Sequence, residues 1–266
     1  MKKTKEEINQ MLSDSTTSTL LFRFAYIGKE LDQQKYLTEL SALAETESWT
    51  SSGGKPHDIL MSYITYTFDK AFKDNLIEFS NNNDYCCFNT GLLTNNGEDI
   101  ICIFNTFTSS QSFSWHLYGF RKESDWDIMK NFSETPEVVS YFDDASKIYF
   151  DPKLPVISNL DHILDENLDR FSEELQKKGK TYILALLKAS LDITLKKCKR
   201  NYRIAVPQYY NDEITYLLPV DLDGCKMALA IGYVNSRYRA NTIFTLPMAY
   251  KNARLLMKPE ADWLEV

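Results

Sequence analysis

Two four-residue words frame this chain. Asn95-Asn96-Gly97-Glu98 stands between the apolar runs Tyr85–Leu93 and Ile100–Asn105, and Asp221-Leu222-Asp223-Gly224 stands between Ile214–Val220 and Met227–Val234. Asn-Gly and Asp-Gly steps supply the left-handed backbone that a tight hairpin demands, so each word commits its flanking runs to antiparallel pairing. The segments between the hairpins carry apolar residues at three- and four-residue steps, which is the helical period. Strand groups separated by helices predict an α+β fold: antiparallel β-sheet flanked by helices, in a single domain over 18–266 behind a frayed polar N-terminus at 1–17. No internal repeat is legible.

The pattern places a helix from Leu20 to about Glu47 and a second from Asp58 to Phe72, whose Leu60, Ile64, Phe68 and Phe72 share a face. Phe113–Phe120 is expected as a third strand and Asp125–Phe132 as a short helix. Residues 160–200 read as helix in two pieces parted at Gly179. The run Thr242–Thr245 is a strand that feeds straight into a helix, with Pro247 in the first turn and Pro259 as the stop. On that helix Lys251, Arg254 and Lys258 fall on one face. Trp49, Trp115, Trp126 and Trp263 are expected as core anchors, and His57 and His116 as loop and strand residues without a role.

The chain has 266 residues and a net charge of -7, but its charge is segregated. Nine basic residues between Lys177 and Arg203 face Asp192 alone, so that segment is +8 and the remainder -15. A basic stripe on an acidic protein steers a polyanion to one face. No apolar run is long enough to span a bilayer, and no apolar segment follows the charged N-terminus, so a cytoplasmic protein without a membrane is expected. Five cysteines, two of them adjacent (Cys86 and Cys87), suit neither a disulfide framework nor zinc, and read as reduced core thiols. No metal site and no cofactor is indicated. Gly53-Gly54-Lys55 is not a phosphate loop, because Pro56 stands where Ser or Thr must ligate magnesium.

Four constellations carry candidate chemistry. Lys196 to Arg203 packs five cations around Tyr202, with Arg200 and Arg203 suited to phosphates and the ring to a base; the plainer alternative is a solvated helix end. Asn89 and Thr90 are polar residues inside an apolar strand before Gly91, which fits a base- and phosphate-reading strand end or, alternatively, a bulge with internally satisfied side chains. His162 is the candidate acid/base, with Arg170 to grip a phosphate; the alternative is a surface helix capped by Asp161. Tyr250, Asn252 and Arg254 are placed to stack on and bind a nucleotide, or else belong to a core-paired helix.

The words Leu21–Ala25, Ile59–Phe68, Cys87–Thr94, Asp161–Leu164 with Asn167 and Arg170, Lys199–Tyr210 and Thr242–Trp263 make the chain resemble the bacterial domain-of-unknown-function family 3825. That family is associated with OST-HTH (LOTUS) and cold-shock RNA-binding modules, and the resemblance implies RNA metabolism without implying a reaction. The leading expectation is therefore an RNA- or nucleotide-binding domain, with phosphodiesterase or other nucleotide hydrolase activity as an open extension. The alternatives are a scaffold protein that meets an acidic partner and a hydrolase of a small phosphorylated metabolite.

Overall fold

The computed structural model describes residues 20–106 and 115–265. They form two compact units that divide between Val139 and Ser140, each with helices around one five-stranded sheet. Residues 1–17 and Phe113 lie outside the described residues.

The first unit runs α1 (Leu20–Phe24), β1 (Ala25–Tyr26), α2 (Glu30–Leu43), α3 (Asp58–Lys73), β2 (Glu78–Phe79), β3 (Tyr85–Leu93), β4 (Asp99–Thr106), β5 (Trp115–Lys122) and α4 (Trp126–Asn131). The helix expected over 20–47 is broken because Gly28 sits at φ +83°, where a Cβ would strike Asp32 Cβ at 2.5 Å. Beyond it the Lys29 N–H donates to Asp32 Oδ2 at 3.0 Å and starts α2. One face of α3 buries Ile64 and Phe68 against the sheet. Phe68 meets Phe24 at 5.1 Å, Phe88 at 5.3 Å and Phe104 at 6.0 Å. Fully burying each such ring contributes roughly 1.5–3 kcal/mol. The opposite face of the sheet (Cys87, Ile101, Ile103) packs under Ile128 of α4 and Phe132. Trp126, expected as a core anchor, is instead exposed, because the burying face of this short helix belongs to Ile128.

The second unit runs β6 (Val156–Ile157), α5 (Leu160–Glu166), α6 (Glu173–Lys178), α7 (Lys180–Cys198), β7 (Val206–Tyr210), β8 (Glu213–Leu222), β9 (Cys225–Val234), β10 (Arg237–Thr245) and α8 (Leu246–Arg254). The helical stretch 160–200 has three pieces rather than two, since Asn167 opens a 3-10 turn over Leu168–Arg170. Leu218, Leu229 and Ile243 of the sheet bury against Leu164 of α5 and Ile183 and Leu187 of α7. Each hairpin turns on two residues of positive φ: Asn211 and Asp212, Asp223 and Gly224, Asn235 and Ser236. This is the backbone that matches the twist of antiparallel strands. Lys258 lies beyond the end of α8, so the expected three-cation helix face is reduced to Lys251 and Arg254.

The sheets are mixed rather than purely antiparallel. Their orders are β1-β5-β4-β3-β2 and β6-β10-β9-β8-β7, and β1 and β6 each run parallel to the last strand of their unit. The two orders are the same topology, in which a two-residue first strand pairs with the last and helices precede a four-strand meander. The likeness extends to a bulge. In β5 Phe104 pairs with Leu117 and Ile103 with Gly119, which leaves Tyr118 extra. In β10 Ile231 pairs with Ala240 and Ala230 with Thr242, which leaves Asn241 extra. Both extra residues come two positions after the last pairing with the parallel strand, at His116 and Arg239. A bulge there bends the strand away and ends the edge pairing. The chain thus holds a structural repeat that no residue pattern announces.

Candidate functional site

In the first unit Asn89 and Thr90 sit where the register of β3 slips between Asn89 and Leu93, around Gly91 at φ +72°. Asn89 Nδ2 donates to Asp99 Oδ2 at 2.9 Å and to the Pro136 carbonyl at 3.2 Å, and its Oδ1 accepts from the Gly91 N–H at 2.9 Å. Thr90 Oγ1 donates to the Ile100 carbonyl at 2.6 Å and accepts from the Leu92 N–H at 3.2 Å. Both residues are buried. Their hydrogen-bonding capacity is committed to the bulge, as polar groups taken out of water require.

In the second unit the C-terminal end of α7 presents Lys196, Lys197, Lys199, Arg200 and Arg203 to solvent. None of the five forms an ion pair among the described residues. Arg200 Nη1 donates to the Lys196 carbonyl at 2.7 Å and so closes the helix end. Arg203 Nε donates to Tyr202 Oη at 3.3 Å, with its guanidinium 5.8 Å from that ring. The Tyr202 hydroxyl and, further off, the carboxylates of Glu260 and Asp262 raise the Arg203 pKa above its ordinary value. Tyr202 is 63% exposed and Tyr149, 6.0 Å away ring to ring, is 61% exposed. Tyr149 is held there by Tyr216 Oη, which donates to the carbonyls of Lys147 at 2.7 Å and Tyr149 at 3.2 Å.

Arg170 occupies the open side of β10 beyond its short pairing with β6. Its Nη1 donates to Thr242 Oγ1 at 3.2 Å and to the Ile243 carbonyl at 2.6 Å, and the guanidinium lies 5.5 Å from the Phe244 ring. Thr242 Oγ1 in turn donates to Asn167 Oδ1 at 3.0 Å. Phe244 meets Tyr210 at 5.8 Å, although β10 and β7 are opposite ends of a four-strand meander. Three strand spacings span about 14 Å in a flat sheet. The sheet therefore curls, with Phe244 and Tyr210 on the inside of the curl.

His162 stands on α5 with a side chain 59% exposed, its Nε2 3.2 Å from Glu166 Oε1 one turn on. On α8 Tyr250 is buried with Ala249 and Ala253, while Asn252 and Arg254 are half-buried. Pro247 falls in the first turn, as the sequence predicts. Arg200 and Arg203 are thus brought together with three lysines and two tyrosines, Arg170 joins a separate aromatic group, and Asn89 and Thr90 belong to the other unit. Sequence reasoning missed Tyr149, Tyr210, Thr242 and Phe244 as members of these groups. Only the alternation of β7 and β10 hinted that Tyr210 and Phe244 are side chains of a sheet face.

Among the described residues no three His, Cys, Asp or Glu side chains come together to hold a metal ion, and no helix is long and apolar enough to cross a membrane. All five cysteines are free, four of them buried. A family model described as "Domain of unknown function (DUF3825)" matches residues 40–263. No curated protein and no solved structure matches the chain.

Proposed function

This chain belongs to the family described as domain of unknown function DUF3825, and on that premise we propose that its second unit binds single-stranded RNA through the end of α7. The observation that carries this reading is five exposed cations, none of them in an ion pair among the described residues, beside two tyrosines that are 61% and 63% exposed. Unpaired cations release counterions from a phosphate backbone, and exposed rings give unpaired bases a surface to stack on. A duplex keeps its bases stacked internally and offers the rings nothing, so the pair of tyrosines favours a single strand. The reading is one of binding rather than catalysis, since His162 is exposed on a helix surface beside Glu166.

Fluorescence anisotropy with a labelled single-stranded oligoribonucleotide tests it. The wild-type chain is expected to bind the single strand more tightly than the matching duplex. A variant with Lys196, Lys197, Lys199, Arg200 and Arg203 replaced by Gln is expected to lose that binding while its circular dichroism stays the same. Equal affinity of variant and wild type would contradict the proposal. Tight binding of an acidic peptide with no measurable RNA binding would instead favour the scaffold alternative.

A further inference from the structure

We propose that the carboxylates of Glu260 and Asp262 form a fixed acidic rail beside the cations of α7, and that this rail turns away a duplex more strongly than a single strand. The proposal rests on the strand-binding reading of α7 and adds to it the residues that select the form of the ligand.

The first support is the way the C-terminal segment is held. Leu255 and Leu264 are 5% and 1% exposed, so the stretch between them is pinned at both ends. The Leu264 N–H donates to the Ala261 carbonyl at 2.9 Å and closes a turn around Asp262 and Trp263. Trp263 Nε1 donates to the Ile204 carbonyl at 3.0 Å. Ile204 ends the 3-10 turn Tyr202–Ile204, which presents Tyr202 and Arg203. Asp262 is therefore next in the chain to a residue bonded to the neighbour of Arg203. The turn is also fixed from its other end, where the Arg203 N–H donates to Asn201 Oδ1 at 3.0 Å. Rail and basic surface thus keep a set spacing.

The second support is charge. Glu260 and Asp262 are exposed, and neither makes a hydrogen bond or an ion pair among the described residues. Their field reaches the basic surface, since after the Tyr202 hydroxyl both acids hold the Arg203 pKa above its ordinary value. Fixed carboxylates oppose the approach of any polyanion, and like charges brought together discriminate against the ligand that carries more of them. A duplex carries about twice the phosphates of a single strand along the same length. A single strand also has one row of phosphates to lay on the cations while its bases turn to the rings, whereas a duplex brings a second row.

Fluorescence anisotropy on the full chain carrying both Glu260→Gln and Asp262→Asn tests this, with a labelled single-stranded oligoribonucleotide and the same strand annealed to its complement. The double variant is expected to keep the wild-type circular dichroism and to bind both forms more tightly. At low salt the gain for the duplex is expected to exceed the gain for the single strand by about threefold or more. Rising salt screens exposed charges and is expected to close that difference; a difference that persisted at high salt would overturn the proposal. An equal gain for both forms, a larger gain for the single strand, or no gain for either would overturn it as well. Absence of single-strand binding by the wild type would sink the α7 reading, whereas a wild-type preference for the single strand that survives neutralisation of both acids would sink this proposal alone.

Discussion

The two units repeat one topology, and one polar group in each is used in the opposite way. In the first, Asn89 and Thr90 are buried and bonded within a bulge, and Lys35, Lys55, Lys70, Arg121 and Lys122 each face a carboxylate. In the second, the end of α7 leaves five cations outside any ion pair among the described residues, and Arg170 and Gln208 keep unused hydrogen-bonding atoms. The strand order is set by turns and alternation, which both units satisfy with different residues. The bulge at Asn89 and the end of α7 differ in whether their polar groups are spent on the fold, and that is a property of individual side chains, since buried side-chain atoms without a hydrogen bond occur in both units.

The largest effect that would sharpen this contrast is on binding. Neutralising the five cations at the end of α7 is expected to lower affinity for a single-stranded oligoribonucleotide by about a hundredfold or more at low salt, as read by anisotropy, with an unchanged urea midpoint. The converse variant lies in the first unit. Asn89→Ala removes three hydrogen bonds, one buried and two part-buried, and takes the Asn89 donor from Asp99 and the Pro136 carbonyl. It is expected to cost about 3 kcal/mol of stability, measured by urea unfolding, while RNA affinity of the folded protein is kept. Should Asn89→Ala leave stability intact and abolish binding, the assignment of roles to the units is reversed.

Smaller effects follow. Gly91→Ala forces a side chain into a left-handed position, with its Cβ 2.9 Å from Tyr63 Oη, and is expected to destabilise the chain by about 2 kcal/mol. Tyr149→Ala and Tyr202→Ala are each expected to weaken single-strand binding by about 1–2 kcal/mol, with no change in salt dependence. The thiols divide in a comparable way. Burial raises the pKa of Cys86, Cys87 and Cys102 in the first unit and pushes Cys198 up to about 11, whereas Cys225 is only half-buried. In the native state an alkylating reagent is expected to modify Cys225 first. Because the folded protein holds the buried thiols protonated, their contribution to stability is full below the ordinary thiol value of 9.0 and falls as pH rises above it. The urea midpoint measured from neutral to alkaline pH checks that sign.

Much of this architecture was legible in the residues. The turn words at Asn95 and Asp223 and the step from β10 into α8 at Pro247 stand where they were expected, because turns and helix starts are local events. The two-residue edge strands β1, β2 and β6 were not legible. Two residues carry no periodicity, and their pairing depends on partners far along the chain. The same limit hid the repeat, since equivalent positions such as Tyr118 and Asn241 share a bulge and no chemistry. The basic run at 196–203 could be read because it is contiguous. The group around Arg170 could not, since its bond to Thr242 crosses 72 residues and its aromatic wall reaches Tyr210 only because the sheet curls.

The most direct measurement compares the salt dependence of RNA binding in two charge variants, one in each unit. The slope of log affinity against log salt falls by about 0.7 for each phosphate of a single strand that the protein no longer neutralises. Replacing Lys196, Lys197, Lys199, Arg200 and Arg203 by Gln is expected to flatten that slope, whereas replacing Lys35 and Lys55 of the first unit, which already face Glu39 and Glu30, is expected to leave it as it was. Equal slopes for the α7 variant and the wild type, or flattening by the first-unit variant alone, would contradict the account.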